Sequence, residues 1–455
     1  MRSKLFTPFW LPIWFFVATI FGGTLLLHMD ASRNPGVPAI SWLDAMFTST
    51  SAVCVTGLAV VDTGTYFSPL GQALLLGLIQ LGALGVMTYT SLVFILLGRR
   101  VSLTDRLAVG KALLHDPSFR LGRFLAHVVL GTLGIELAGA FLLHLFDSRG
   151  FPLWSAVFHS VSAFCNAGFS LHADSLMQWR THWGINLAFM ALITLGGLGF
   201  FVLYDCTSTL KKRVRGISVQ GLPARLTWHS RIVLSTSLVL VLGGALVIFV
   251  AEEAGGLRIG TWDQAMLVSL FQSVTCRTAG FNTVEIGHMT NVSLLFMIAL
   301  MFIGGSPGSC AGGIKTTTAR VIWGFFVSQF KGGDQVRIGR FALERGALSR
   351  AVTLVVLASV LVCASTLLLN ISEGGDVPHD MARGMFLETL FEVMSAFGTV
   401  GLTTGMTPSL TAPGRIVVMV LMMVGRLGPI WLLSALAGWQ VKPHYSIPEK
   451  DLPLG

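Results

Sequence analysis

Apolar residues along the chain fall into long runs separated by short polar stretches. Eight runs reach the roughly 20 residues a helix needs to cross a bilayer. They cover residues 8–28, 70–98, 122–146, 184–205, 229–251, 291–327, 349–371 and 415–438. Four other apolar stretches, at 41–53, 153–164, 261–275 and 383–396, are too short to span and have the length of re-entrant or buried elements. Two of these open on helix-start chemistry: Thr261 with Gln264 fits a capping box, and Ser41 with Asp44 a weaker form of it. The sixth long run is interrupted from Gly304 to Thr318, GGSPGSCAGGIKTTT. Five glycines and Pro307 in that stretch cannot hold a lipid-facing helix, so the pattern predicts two half-helices joined by an intramembrane loop.

The short stretches end in related phrases: FTSTSAVCVTGL (47–58), FHSVSAFCNAGF (158–169), FQSVTCRTAGF (271–281) and FEVMSAFGTVGL (391–402). The long runs that follow share a second phrase: LGALGV (81–86), LGGLGF (195–200), IGGSPG (303–308) and VGRLGP (424–429). An internal repeat decides the architecture. Each unit is span, re-entrant stretch, span, and the units are placed at 1–105, 106–215, 216–340 and 341–455. Two spans per unit is an even number, so the units are parallel and related by an axis along the membrane normal; inverted repeats need an odd number. The expected fold is therefore an all-α polytopic membrane protein, four helix–pore-loop–helix repeats around a central pore with pseudo-fourfold symmetry.

Four short helices pointing inward place their C-terminal, partially negative ends near the axis, which favours a cation there. Irregular backbone at membrane depth needs a partner for its carbonyls, and rings of carbonyls can replace an ion's hydration shell. Val55, Thr56 and Gly57, Asn166, Ala167 and Gly168, Thr278, Ala279 and Gly280, and Thr399, Val400 and Gly401 are the expected filter, with K⁺ as the ion at their carbonyls. The competing reading is glycine used only for close helix packing.

Composition narrows the class. Of 455 residues, 53% are hydrophobic and 12% charged, about half the charged share of a soluble domain, which excludes a soluble enzyme. The net charge of +9 does not call for nucleic acid, because cytoplasmic loops of membrane proteins collect Lys and Arg. Basic residues cluster at 99–123, 206–231 and 331–350, whereas the alternate loops hold scattered Arg33, Arg149, Arg180, Arg258, Arg277, Arg383 and Arg415. Both termini are then expected in the cytoplasm, with the chain multi-pass in the cell (inner or plasma) membrane. Arg2 and Lys4 precede the first run without a small-residue cleavage site, so that run is expected to be a membrane helix and not a removed signal. The six cysteines lack metal spacing and are expected as small buried thiols. Glu252 and Glu253 are expected as a solvated surface pair, and acids at the midplane are nearly absent, which disfavours an alternating-access symporter. Sodium or proton coupling within a pore-like fold stays open, and no organic cofactor is implied.

One charge breaks the pattern: Arg426 lies mid-run where the other repeats have Ala83, Gly197 and Gly305. A permanent charge at that depth faces protein or a water-filled cavity. The intramembrane loop offers oxygen partners. Gly304, Gly305, Ser306, Gly308, Ser309, Gly312, Gly313 and Lys315 are therefore expected, with Arg426, to form a gate; Lys315 serves equally well as an interface anchor.

VTGLAVVDTG (55–64), FHSVSAFCNAGF, CRTAGFNT (276–283), GGIK (312–315) and TVGLTTG (399–405) resemble the four pore loops and the third-repeat loop of the Trk/Ktr/HKT superfamily of potassium transporters, over residues 8–445. The chain starts directly at the first repeat and is most like the KtrB-type branch, the membrane subunits of Ktr systems. The resemblance implies potassium uptake, often stimulated by Na⁺. It implies a homodimer of single-pore protomers and a cytoplasmic nucleotide-binding ring, KtrA-like, that gates them. It also implies an arginine at position 426 that helps close the pore. Serine in place of the first-loop glycine goes with sodium selectivity in plant relatives; Gly57 favours potassium. Pro307 and Cys310 depart from the Gly-, Ser- and Thr-rich loop usual in the family.

Overall fold

The computed structural model describes residues 10–96, 121–216, 218–219, 222–255, 260–333, 335–374, 378, 382 and 384–428. Of the expected features, most of the 99–123 basic cluster, the end of the last span beyond 428 and both termini lie outside the described residues.

The helices follow the predicted order. First spans are Leu11–His28, Leu121–Phe146, Trp228–Ala254 and Arg345–Gly374. Short pore helices are Trp42–Cys54, Leu153–Phe164, Trp262–Thr275 and Met385–Gly398. Second spans begin at Pro69, Trp183, Asn291 and Ala412. The capping expectations hold. Ser41 Oγ accepts from Asp44 N at 3.0 Å, and Gln264 Oε1 accepts from Thr261 N at 3.3 Å within a capping box. Two two-stranded hairpins, Ser218–Val219 with Leu222–Pro223 and Arg337–Ile338 with Phe341–Ala342, are the strands among the described residues.

The second spans differ from one another. The first runs unbroken over Pro69–Leu96. The third divides as expected, into Asn291–Phe302 and Thr316–Phe330. The span expected over 184–205 is not one straight helix: Trp183–Leu198 and Phe200–Val214 meet at 102°. The hinge is Gly199, at φ 91°, a conformation open to glycine and strained for other residues.

Packing closes these units into a ring. Each second span packs on the pore helix of the next repeat, from the first repeat to the second, the second to the third, the third to the fourth, and the fourth back to the first. At the seam, Arg415 of the last second span pairs with Asp44 of the first pore helix. Within each repeat, a small residue on the first span admits the pore helix. Gly23, Gly139 and Gly244 lie against Ser49, Ser160 and Ser273. Those serines donate to Ile20 O, Glu136 O and Val241 O at 2.8, 2.6 and 2.7 Å. The fourth repeat has buried Val393 on the pore helix where the other three have serine. The phenylalanines that open the repeated phrases, Phe47, Phe158, Phe271 and Phe391, are all fully buried, each worth about 1.5–3 kcal/mol of burial.

Candidate functional site

Every pore helix delivers its chain to the axis in the same backbone conformation. Val55, Asn166, Thr278 and Thr399 have φ of 56°, 59°, 73° and 49°. Two residues on, Gly57, Gly168, Gly280 and Gly401 have φ of 92°, 70°, 80° and 91°. A left-handed non-glycine residue is uncommon; four at equivalent positions mark a built segment. A Cβ on Gly57 would lie 2.5 Å from Ala167 O, on Gly168 3.0 Å from Ala279 O, and on Gly280 2.5 Å from Val400 O; on Gly401 it would overlap Thr56 O. Each glycine thus abuts the carbonyl of the next repeat's central residue, and the fourth returns to the first. All twelve expected filter residues meet in this ring. Thr56, Ala167, Ala279 and Val400 are fully buried beside it.

Pore-helix hydroxyls hold the segments in place. Ser51 Oγ and Ser395 Oγ accept from Gly57 N and Gly401 N, each at 3.1 Å. At the corresponding positions Ser162 Oγ donates to Phe169 O at 2.8 Å and Thr275 Oγ1 to Phe281 O at 2.6 Å. Asn166, oriented so that its amide nitrogen donates to Ala163 O and Ile193 O at 3.1 Å, accepts from Thr278 Oγ1 at 3.2 Å. One turn further back along the pore helices, side chains hold the chain that follows the ring glycines. His159 Nε2 accepts from Leu171 N at 3.3 Å, and Glu392 accepts from Thr403 Oγ1 and, at 2.8 Å, from Thr407 Oγ1. Sequence reasoning passed over these supports, although the Ser or Thr recurs visibly in the quoted phrases.

The intramembrane loop lies against the same ring. Gly304 N donates to Ile314 O at 2.9 Å and Thr316 N to Gly305 O at 3.1 Å, so the loop closes on itself. Its tip docks on the bent second span of repeat 2: Ser306 N donates to Gly197 O at 3.0 Å, Cys310 N to Gly196 O at 3.3 Å, and Phe200 N to Gly308 O at 3.0 Å. Inside the loop, Ser309 Oγ donates to Ser306 O at 2.7 Å. Gly308 and Gly313 take φ of 73° and 65°, and a Cβ on Gly312 would stand 3.1 Å from Gly398 O. Lys315 Nζ is turned back onto Ala311 O at 2.6 Å.

Arg426 is 5% exposed. Its guanidinium donates to Cys310 O of the loop, to Gly82 O of repeat 1 at 2.7 Å and to Ala83 O at 3.4 Å. One side chain thus joins the loop of repeat 3 to the second spans of repeats 1 and 4. The expected pairing of arginine and loop carbonyl is present, and the repeat 1 carbonyls are an addition to it.

Three charged residues depart from expectation. Arg277, counted among outer-loop charges, is 8% exposed and donates to Gly304 O at 3.5 Å, because it directly precedes Thr278 of the buried carbonyl ring. Glu252 is 4% exposed; its carboxylate accepts from Thr290 N at 3.1 Å and Thr290 Oγ1 at 3.0 Å, capping a second span instead of facing solvent. Glu136 is a buried acid in the first span of repeat 2, held by Gln80 Nε2 of repeat 1 at 3.0 and 3.1 Å. Both partners sit in apolar runs, so their pairing was not legible in the sequence. All six cysteines are free thiols; Cys54, Cys165, Cys276 and Cys310 are buried as expected, whereas Cys206 is half-buried and Cys363 exposed.

The comparisons agree with this architecture. The family model for TrkH, described as a cation transport protein, matches residues 5–437. The chain is 36% identical to Ktr system potassium uptake protein B of Bacillus subtilis, over 94% of this chain and 92% of that one. It is 34% identical to the potassium/sodium uptake protein NtpJ of Enterococcus hirae, over 97% and 95%. The crystal structure of the potassium transporter TrkH from Vibrio parahaemolyticus superposes with a TM-score of 0.73, covering 96% of this chain and 87% of that one at 19% identity, and so supports the fold. A multi-pass helical chain of four repeats, matched over nearly its whole length, belongs to the TrkH family of cation transport proteins, a family of transporters and not enzymes.

Proposed function

We propose that the chain takes up K⁺ across the cytoplasmic membrane through one central pore per protomer. The filter is the ring of carbonyls contributed by Val55–Gly57, Asn166–Gly168, Thr278–Gly280 and Thr399–Gly401. The observation that carries this reading is the closed succession of left-handed residues and glycines, each abutting the next repeat's carbonyl. Such a ring replaces a cation's hydration shell, and pore-helix C-termini add negative potential behind it. The potassium-uptake names of the relatives support the choice of ion.

The gate is the loop Gly304–Lys315 with Arg426. The guanidinium holds the loop by Cys310 O and opposes a passing cation by its charge. The chain works as a homodimer with a KtrA-like cytoplasmic nucleotide-binding ring docked on the basic loops, with both termini on the cytoplasmic side. The names of relatives as parts of a Ktr system favour such a partner. A second reading, a sodium- or proton-coupled symporter, draws on Glu136, a buried acid without an ion pair among the described residues. Rb⁺ uptake into proteoliposomes, competed by K⁺ or Na⁺, tests the filter. Strong competition by K⁺ and weak competition by Na⁺ is expected; equal competition contradicts a potassium filter.

A further inference from the structure

Glu136 occupies a position that packing alone would fill differently. The first spans of repeats 1, 2 and 3 receive the same hydrogen bond from their pore helices: Ser49 Oγ donates to Ile20 O, Ser160 Oγ to Glu136 O and Ser273 Oγ to Val241 O. The three accepting residues are therefore equivalent, and two of them are aliphatic. The carboxyl of repeat 2 is not needed to fill that space. Glu136 lies inside Ala126–Phe146, which is long and apolar enough to cross a membrane. It is 4% exposed and has no cationic partner among the described residues. Burying an acid without one is unfavourable, and an ionisable residue within such a helix marks a functional site.

Its contacts lead to the ring. Gln80 Nε2, on the second span of repeat 1, donates to both carboxyl oxygens at 3.0 and 3.1 Å. The other end of the same amide, Gln80 Oε1, accepts from Cys165 Sγ at 2.9 Å, and Cys165 Sγ lies 3.8 Å from Glu136 Oε1. Cys165 is buried and immediately precedes Asn166, the left-handed residue that opens the repeat 2 segment of the ring. An amide has one donor end and one acceptor end. With the carboxyl on the donor end, the oxygen of Gln80 is turned to the thiol; without the carboxyl, the amide is free to turn.

We propose that Glu136 is a positioning residue for ion selection: it orients the Gln80 amide, which holds Cys165 and with it the Asn166–Gly168 segment. The effect on selection rests on the pore reading; the orientation of Gln80 by Glu136 does not. The role needs an oxygen acceptor at position 136 and no proton transfer, which separates it from that of a coupling acid.

Rb⁺ uptake by the full-length protein in proteoliposomes, at equal pH on both sides and competed by K⁺ or Na⁺, tests the role. Glu136→Val introduces the side chain that repeat 3 carries at this position, and should lower K⁺ preference over Na⁺ several-fold. Glu136→Gln keeps an oxygen for Gln80 Nε2 and should retain most of the preference. Cys165→Ala cuts the last link and should resemble Glu136→Val. Wild-type preference in Glu136→Val or in Cys165→Ala overturns the proposal while leaving the pore reading intact. Glu136→Gln as impaired as Glu136→Val also overturns it, and makes Glu136 a coupling acid if wild-type uptake follows a proton gradient. A wild type that does not discriminate removes the pore reading and this role together. Melting temperatures test the link to Gln80 without reference to ions. Glu136→Val and Gln80→Leu combined should cost less than the sum of the two, as expected for partners in one network; additive losses overturn the link. If Glu136→Val does not fold, Cys165→Ala and Glu136→Gln still decide the matter.

Discussion

At the scale of single residues, the site depends on backbone conformations that side chains normally resist. Gly57 has φ 92°, and a Cβ there would stand 2.5 Å from Ala167 O. Gly57→Ser introduces a left-handed penalty of about 1–2 kcal/mol together with that clash. That strain displaces the carbonyl ring, so K⁺ preference over Na⁺ should fall several-fold, read from Rb⁺ uptake in competing Na⁺. Ser395→Ala removes the acceptor of Gly401 N. Leaving a buried N–H unsatisfied costs about 1–3 kcal/mol, so a lower melting temperature and weaker ion discrimination are expected together. The glycines were legible because they recur at fixed spacing. The left-handed Val55 was not: a β-branched residue is a poor sign of positive φ, and only its place after a pore helix forces that conformation.

At the scale of elements, the bend at Gly199 and the intramembrane loop act as one unit. The bent span presents Gly196 O and Gly197 O to the loop's amides and takes Gly308 O onto Phe200 N. A Cβ on Gly199 would meet Pro307 O at 2.7 Å. Gly199→Ala therefore strains the hinge and pushes on the loop at once. Increased downhill Rb⁺ flux is expected, and unchanged flux would separate the bend from gating. Deletion of 306–311 removes Cys310 O, a partner of Arg426, and should raise flux further. The break in the third repeat's span was legible because five glycines and a proline cannot form a lipid-facing helix. The bend in the second repeat was not legible, because LGGLGF also fits a straight helix packed through small residues. The bend lies where a loop from the next repeat docks, and no periodicity within the run records that contact.

At the scale of the whole molecule, parity and repetition predicted parallel units around one axis. The packing of each second span on the next repeat's pore helix realises that arrangement. Counting loop charges was less informative about depth: Arg277 and Glu252 read as surface charges but are buried, since a sequence shows a residue's distance along the chain and not its distance from the axis. If both termini are cytoplasmic, cysteines placed at position 3 and position 453 should react with impermeant maleimide only from the inside of sealed vesicles. Reaction from outside at one end alone would break the two-spans-per-repeat count, and at both ends would reverse the orientation.

The central claim is a cation pore held shut where Arg426 grips the loop. Downhill Rb⁺ flux into proteoliposomes containing this chain alone, driven by a K⁺ gradient without Na⁺, tests it most directly when wild type is set beside Arg426→Ala. The account predicts flux in the absence of any co-ion gradient, raised several-fold by the substitution. Flux that strictly requires a Na⁺ or proton gradient, or that does not rise when Arg426 is removed, would contradict it.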